Sequence, residues 1–254
     1  MSSFLVLWDV DYTLANTYGV GRHLYRAAFA ELYGRELPEA AEGANMAGRT
    51  DRAIALDVLE LAGVPDPRSQ VSEFEAALAS LAPSVTGMVA AEGKALPGAA
   101  AALDALAHLA DVVQSLLTGN VRPVAEAKLA PLGLTAHLDL DVGAYGNEHE
   151  VRAELVRLAR RRAAAAYDAD FGGEATVLVG DTPLDIEAAL ATGARAVGVA
   201  TGQFALAELE AARPHAALPD LADTPAVLAA VVSRSGLPRP GPPSDPELYQ
   251  PRPA

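Results

Sequence analysis

The sequence predicts an α/β fold, a Rossmann-like parallel sheet with helices on both faces, carrying a small all-α domain inserted after the first strand. Three observations predict it. Short apolar runs alternate with helical patterns in the second half of the chain, an order that implies right-handed crossovers between parallel strands. About 100 residues separate the first such run from the second, where one crossover helix would suffice, and the pattern between them is helical. Hydrophobic residues make up 51% of the 254 against 20% charged and 5% aromatic, enough for a sizeable core whose alanine content suits closely packed helices.

Five β-prone runs supply the sheet: Phe4–Trp8, Val112–Leu117, Leu138–Val142, Thr176–Val179 and Ala196–Ala200. The fourth is continuously apolar, as a strand covered on both faces requires. Helical patterns occupy Pro97–Leu109, Val121–Leu132, His149–Ala165 and Pro183–Ala191. In the inserted segment Gly21–Tyr33, Asp51–Ala62 and Ser69–Leu81 carry apolar residues at helical spacing, broken by Gly34, Pro38, Gly63, Pro65, Pro67 and Pro83. The expected organisation is a core domain of residues 1–15 and 93–232, a small helical domain of residues 16–92, and a tail of residues 233–254. That tail holds seven prolines between Pro238 and Pro253 and reads as extended or disordered.

The formal charge of −14 sets a low expectation for polyanionic nucleic acid or an anionic membrane surface as partner. Zero cysteines exclude disulfides, thiolate metal sites and cysteine nucleophiles, and suit a reducing compartment. The run Phe4–Trp8 is too short for a signal-peptide core, and no stretch offers roughly 18–20 uninterrupted apolar residues. A cytoplasmic protein, monomeric or homodimeric, is expected.

Chemistry-bearing residues cluster where strands end. The first run passes directly into Asp9-Val10-Asp11-Tyr12-Thr13, two carboxylates at alternate positions at the edge where open parallel sheets place ligands. The second ends in Thr118-Gly119-Asn120, where hydroxyl and N–H groups at a helix start suit an anion. The fourth ends in Gly180-Asp181-Thr182-Pro183-Leu184-Asp185. Four carboxylates delivered to one sheet edge repel one another, and a hard divalent cation on oxygen ligands is the usual remedy.

Together these three segments resemble the haloacid dehalogenase-like hydrolase superfamily, whose motifs run D-x-D-x-[TV], Thr or Ser after the second strand, and G-D-x-x-x-D. The helical insertion after the first motif is similar to that family's α-helical cap. The resemblance covers about residues 4–202. It implies Asp9 as nucleophile, Asp11 as acid and base, and a Mg²⁺ ion held by Asp9, the backbone carbonyl of Asp11 and Asp181, with Asp185 holding a water on the metal. Thr118, with the neighbouring groups of Gly119 and Asn120, would bind phosphoryl oxygens. The family's third motif is a Lys or Arg before the fourth strand, commonly in a Lys-Pro pair, which this chain lacks in that region. Lys128 and Arg152 are equal candidates and can act together. Arg49 in Ala47-Gly48-Arg49-Thr50-Asp51 resembles the cap segment that faces substrate.

An Asp at position 11 separates phosphatases and sugar phosphomutases from members that cleave carbon–halogen or phosphonate bonds. The resemblance implies a phosphatase of a small phosphorylated metabolite, phosphoglycolate-like or sugar-phosphate-like. A phosphomutase is the alternative, with a dehalogenase or a catalytically idle interaction protein behind it. The crossings at Asn16–Thr17 and Glu92–Gly93 are the expected hinges.

Overall fold

The computed structural model describes residues 3–232; the proline-rich tail lies outside them. In chain order the elements are β1 (Phe4–Trp8), β2 (Ala15–Asn16), α1 (Val20–Tyr33), α2 (Glu39–Glu42), α3 (Asp51–Leu61), α4 (Pro67–Glu92), β3 (Lys94–Ala95), α5 (Ala99–Ala107), β4 (Val112–Leu116) and α6 (Arg122–Leu129). There follow α7 (Arg152–Tyr167), β5 (Thr176–Gly180), α8 (Pro183–Leu190), β6 (Arg195–Val199), α9 (Leu206–Ala211), β7 (Ala216–Leu218) and α10 (Thr224–Val232).

Five strands form one parallel sheet in the order β4-β1-β5-β6-β7. The chain leaves β1 for β4 on one side and returns to β5 on the other, so the crevice beyond the C-terminal end of β1 is the topological switch point. Pleating divides the strand side chains between two cores. Val6, Trp8, Val177, Val179 and Val197 pack with α5 and α10. Leu5, Leu7, Leu178 and Ala196 pack on the opposite face against α7, α8 and Leu209 of α9.

The two chain crossings pair with each other. β2 and β3 form a short antiparallel ladder, Ala15 opposite Ala95 and Asn16 opposite Lys94. Between them α1–α4 gather a third apolar cluster around Phe29, Leu59, Phe74 and Val85. That cluster also takes Val121, Val124 and Ala127 from the start and first turns of α6, whose Ala125 and Leu129 face the sheet core. One helix therefore belongs to both hydrophobic clusters.

Three expectations are corrected. Residues 138–142 form no strand. Asp139 accepts the N–H of Asp141 on its side chain at 3.0 Å, a local turn that competes with sheet pairing, and only Ala144 bridges to Leu117. The segment instead covers the open edge of β4, where Asp139 N donates to Gln114 O at 2.8 Å and Ala144 N to Leu116 O at 3.0 Å. Pro83 does not end its helix, because α4 runs through it to Glu92. The cost of an interior proline, about 3 kcal/mol, is offset by an apolar stripe that continues past it in the fully buried Val85 and Val89. α4 is long and apolar enough to span a membrane by length and composition, yet Phe74, Leu78, Val85 and Val89 bury its stripe in the third cluster. Finally, β7 and α10 extend the sheet and its cover beyond the runs legible in the sequence.

Phe74 is fully buried at the centre of the helical cluster and stacks 5.4 Å from Tyr25. Phe74→Ala should lower the unfolding free energy by about 3–5 kcal/mol, read as a shifted urea midpoint.

Candidate active site

Hydrogen bonds continue past the strand ends and fix the three loops against one another. Asp9 N donates to Val179 O at 2.9 Å, Leu117 N to Trp8 O at 2.9 Å, and Thr118 N to Ala144 O at 3.2 Å. Behind them Trp8 Nε1 donates to Gln114 Oε1 at 3.1 Å. After β5, Thr182 caps α8. Its hydroxyl accepts from Asp185 N at 3.3 Å and donates to Asp185 Oδ2 at 2.7 Å, while Thr182 N donates to the same carboxylate oxygen at 3.1 Å. Asp185 is thereby aimed at the sheet edge instead of at solvent.

The result is a cluster of three buried carboxylates. One oxygen from each of Asp9, Asp181 and Asp185 lies within 4.8 Å of the others. Burial, reinforced by Asp185 and Asp11 and partly offset by Arg152, pushes the Asp9 carboxyl up to about 7. Burial and repulsion from Asp9 and Asp185 likewise raise Asp181 well above the ordinary range. Gly202 stands so close that a Cβ there would come within 1.8 Å of Asp181 Oδ2, which leaves that carboxylate little room to turn away.

Both candidate cations reach the site, at different carboxylates. Arg152, 7% exposed, places Nη2 2.7 Å from Asp9 Oδ1 and 2.6 Å from Asp185 Oδ1. Burial acts to discharge the guanidinium, but Asp185 and Asp9 outweigh it and hold it firmly protonated. Lys128, 2% exposed, donates to both oxygens of Asp11 at 2.8 and 2.7 Å and to Asn120 Oδ1 at 2.8 Å. Asn120 Nδ2 completes the ring with bonds to Asp11 Oδ2 at 2.7 Å and Thr118 Oγ1 at 2.9 Å.

Arg49 is already engaged. Its guanidinium lies 2.6 Å from Asp57 and donates to Asn45 O at 3.1 Å, so it lines the cavity as half of an ion pair. Its carbonyl abuts Gly119, where a Cβ would lie 2.0 Å away. All the expected site residues except Asp185 line one cavity of about 460 Å³ between the sheet edge and α1–α4. Asp185 stands behind Arg152.

The start of α3 seats the helical segment on the core. Asp51 N donates to Gly119 O at 2.7 Å, Arg52 N to Gly146 O at 3.1 Å, and Thr50 Oγ1 to Glu150 O at 3.1 Å. The buried Asp51 carboxylate accepts from Val121 N at 2.7 Å and from the Tyr25 hydroxyl at 2.9 Å. Sequence reasoning missed this contact. An acid in a first helical turn reads as local stabilisation, and nothing near it announces a partner 70 residues away.

An oxygen-only set of three buried carboxylates facing one guanidinium keeps two formal negative charges if all three ionise. Asp185 Oδ1 has no partner in hydrogen-bond geometry despite its nearness to Arg152. Such a donor set fits a hard divalent cation, with Asp9, Asp181 and Asp185 as its candidates; the Asp11 carboxylate is turned to Lys128.

The fold and this strand-end constellation define a haloacid dehalogenase-like hydrolase. That family's profile matches residues 6–190, and the chain belongs to the family. No functionally curated protein matches it in sequence. Among solved structures it is similar to a "predicted phosphatase" from Clostridium acetobutylicum, at 15% identity and TM-score 0.64, with 90% of this chain and 99% of that one covered. It is also similar to a "putative phosphoglycolate phosphatase" from Lactobacillus plantarum, at 15% identity and TM-score 0.61, covering 89% and 100%. A "putative beta-phosphoglucomutase" from Thermotoga maritima matches at 20% identity and TM-score 0.56, covering 90% and 100%. At these identities the likeness is one of fold.

The raised carboxyls make stability fall with pH. Asp9 titrates near 3.8 when unfolded and near 7 when folded, so between these values the native state holds more protons than the unfolded chain and loses stability as pH rises. Asp51, raised by burial to about 6, and Glu75, raised by burial to about 7, act in the same sense. Metal-free protein should melt at lower temperature at about pH 8 than at about pH 5, Asp9→Asn should flatten that slope, and Mg²⁺ should raise the melting temperature more at the higher pH.

Proposed function

We propose that the protein is a Mg²⁺-dependent phosphatase of small phosphomonoesters, working through an aspartyl-phosphate on Asp9. The observation that carries this reading is the division of labour between two carboxylates two residues apart. Asp9 sits buried among Asp181, Asp185 and Arg152, while Asp11 faces the same cavity in a separate cluster with Lys128 and Asn120.

In this reading an oxygen of Asp9 attacks phosphorus in line and the P–O bond to the leaving group breaks. Protonated Asp11 gives its proton to the departing oxygen. As carboxylate it then takes a proton from the water that attacks the phosphoryl group, releasing phosphate and restoring Asp9. Arg152, with Thr118 and the adjacent backbone N–H groups, offsets charge that develops on the phosphoryl oxygens. Asp9 and Asp181, with Asp185 beside them, would hold Mg²⁺, which when bound would supply the positive charge that lets an anionic carboxylate approach an anionic ester. Lys128 does not grip phosphate. Its three N–H bonds are spent on Asp11 and Asn120, so it orients Asp11. The cysteine-free composition suits work in the cytoplasm.

A phosphomutase differs only in the acceptor of the phosphoryl group, and the fold shared with the Thermotoga maritima structure keeps that reading as the alternative. Release of phosphate from a panel of metabolite esters, lost on chelation and in Asp9→Asn, tests the proposal. Isomerisation of a hexose 1-phosphate without phosphate release would replace it with the mutase, and inactivity towards every ester by a folded protein would overturn both.

Asp11→Asn should lower kcat by about 10²–10⁴. Lys128→Ala should lower it by about tenfold or more for alkyl esters and less for aryl esters, whose leaving groups depart without a proton. Because Lys128 acts through Asp11, the double variant should be no slower than Asp11→Asn alone; additive losses would place Lys128 on the phosphate instead.

A further inference from the structure

Two tyrosines at the cavity have no part in the chemistry above. Tyr12 and Tyr18 both line it, both remain exposed, at 44% and 53%, and both have left-handed backbone, with φ of +57° and +44°. That region favours glycine because a Cβ crowds the backbone there. The local turns impose it. Tyr12 N donates to Ala15 O at 2.8 Å and its carbonyl accepts from Thr201 Oγ1 at 2.5 Å; Tyr18 N donates to Asn16 Oδ1 at 3.0 Å. Glycine would make the same turns without strain. Neither ring is repaid by burial in a core, and Lys94 Nζ lies 5.8 Å from the Tyr18 ring centroid. What tyrosine adds over glycine at both places is an aromatic surface at the mouth of the cavity.

Most of the cations in the lining are paired with carboxylates. Asn16, Asn45 and Gln203 offer neutral amides. Of the cations that line the cavity, Lys128 is paired with Asp11, Arg152 with Asp9 and Asp185, and Arg49 with Asp57, whereas Arg22 donates to the neutral Glu42 backbone carbonyl. Tyr12 directly follows Asp11, and Tyr18 stands just beyond Asn16 on the helical side of the β2 crossing. Both side chains therefore line the cavity that also holds Asp9.

We propose that Tyr12 and Tyr18 are specificity-determining residues that stack on a ring in the leaving group. The inference rests on the phosphate-ester reading of the Asp9 site and narrows it to ring-bearing alcohols, whether aromatic rings or pyranoses, both of which present a face that an aromatic side chain can cover.

The test measures binding and turnover separately. In Asp9→Asn protein with Mg²⁺, calorimetric titration with methyl phosphate, phenyl phosphate and glucose 6-phosphate should show at least one ring ester binding about tenfold more tightly than methyl phosphate. Adding Tyr12→Gly should weaken ring-ester binding by about threefold to tenfold and change methyl phosphate by less than about twofold, while Tyr12→Phe restores the ring preference. Thermal melting should show the glycine variant at least as stable as its parent, because strain is relieved. Preference for phenyl phosphate alone assigns an aromatic leaving group, and preference for glucose 6-phosphate alone assigns a sugar. Equal binding of ring and methyl esters, or equal weakening of both by Tyr12→Gly, overturns the inference. Failure of the phosphatase reading shows separately, as intact ring-ester binding with no phosphate release by protein that retains Asp9.

Discussion

The site depends on one constraint: carboxylates from two strand ends and a helix start must share a dry corner of the sheet without driving it apart. Arg152 meets it by touching Asp9 and Asp185 with the same nitrogen. The cost of burying the guanidinium is offset by the two anions it serves, and burial, reinforced by mutual repulsion, raises the Asp9 and Asp181 carboxyls. A cluster in this condition is poised to receive a cation, which relieves the repulsion that the fold has built in. Rigid neighbours keep the carboxylates from relaxing outward, Thr182 against Asp185 and Gly202 against Asp181.

A second arrangement separates Asp11 from this cluster and ties it to the helical segment. Lys128 holds Asp11 from α6, the helix whose opposite sides enter the sheet core and the helical core. Asp51, at the start of α3, bonds the N–H that begins α6. Seating of the helical segment and orientation of Asp11 thus run through one short helix. Closure over a substrate and alignment of the proton donor are mechanically linked in this reading, and β2 and β3 stand at the two places where the chain crosses.

How much was legible in the sequence follows from how far each interaction reaches. Asp9, Asp11, Thr118 and Asp181 stand within a few residues of strand ends, and strands declare themselves through continuous apolar runs, so their convergence on one edge could be read directly. The choice between Lys128 and Arg152 could not. It turns on which way a helical side chain points across about 120 or more residues of chain, and the structure gives each its own carboxylate. The pairing of Arg49 with Asp57 was hidden by the reverse effect, an eight-residue local contact that diverts a side chain expected to face substrate. Leu138–Val142 alternated like a strand, yet the Asp139 side chain closed a turn on its own backbone. Pro83 signalled a helix end that the packing of Val85 and Val89 overrode.

The claim at the centre of this account is that Asp9 itself receives the phosphoryl group. Rapid acid quenching of the protein during turnover of an ester, followed by intact and peptide mass spectrometry, addresses it most directly. The account predicts a gain of one phosphoryl group on the peptide containing Asp9, removed by hydroxylamine and absent in Asp9→Asn. Steady hydrolysis with no phosphorylated protein, using an ester whose first step is fast enough for the intermediate to accumulate, or with the group on another residue, would contradict it.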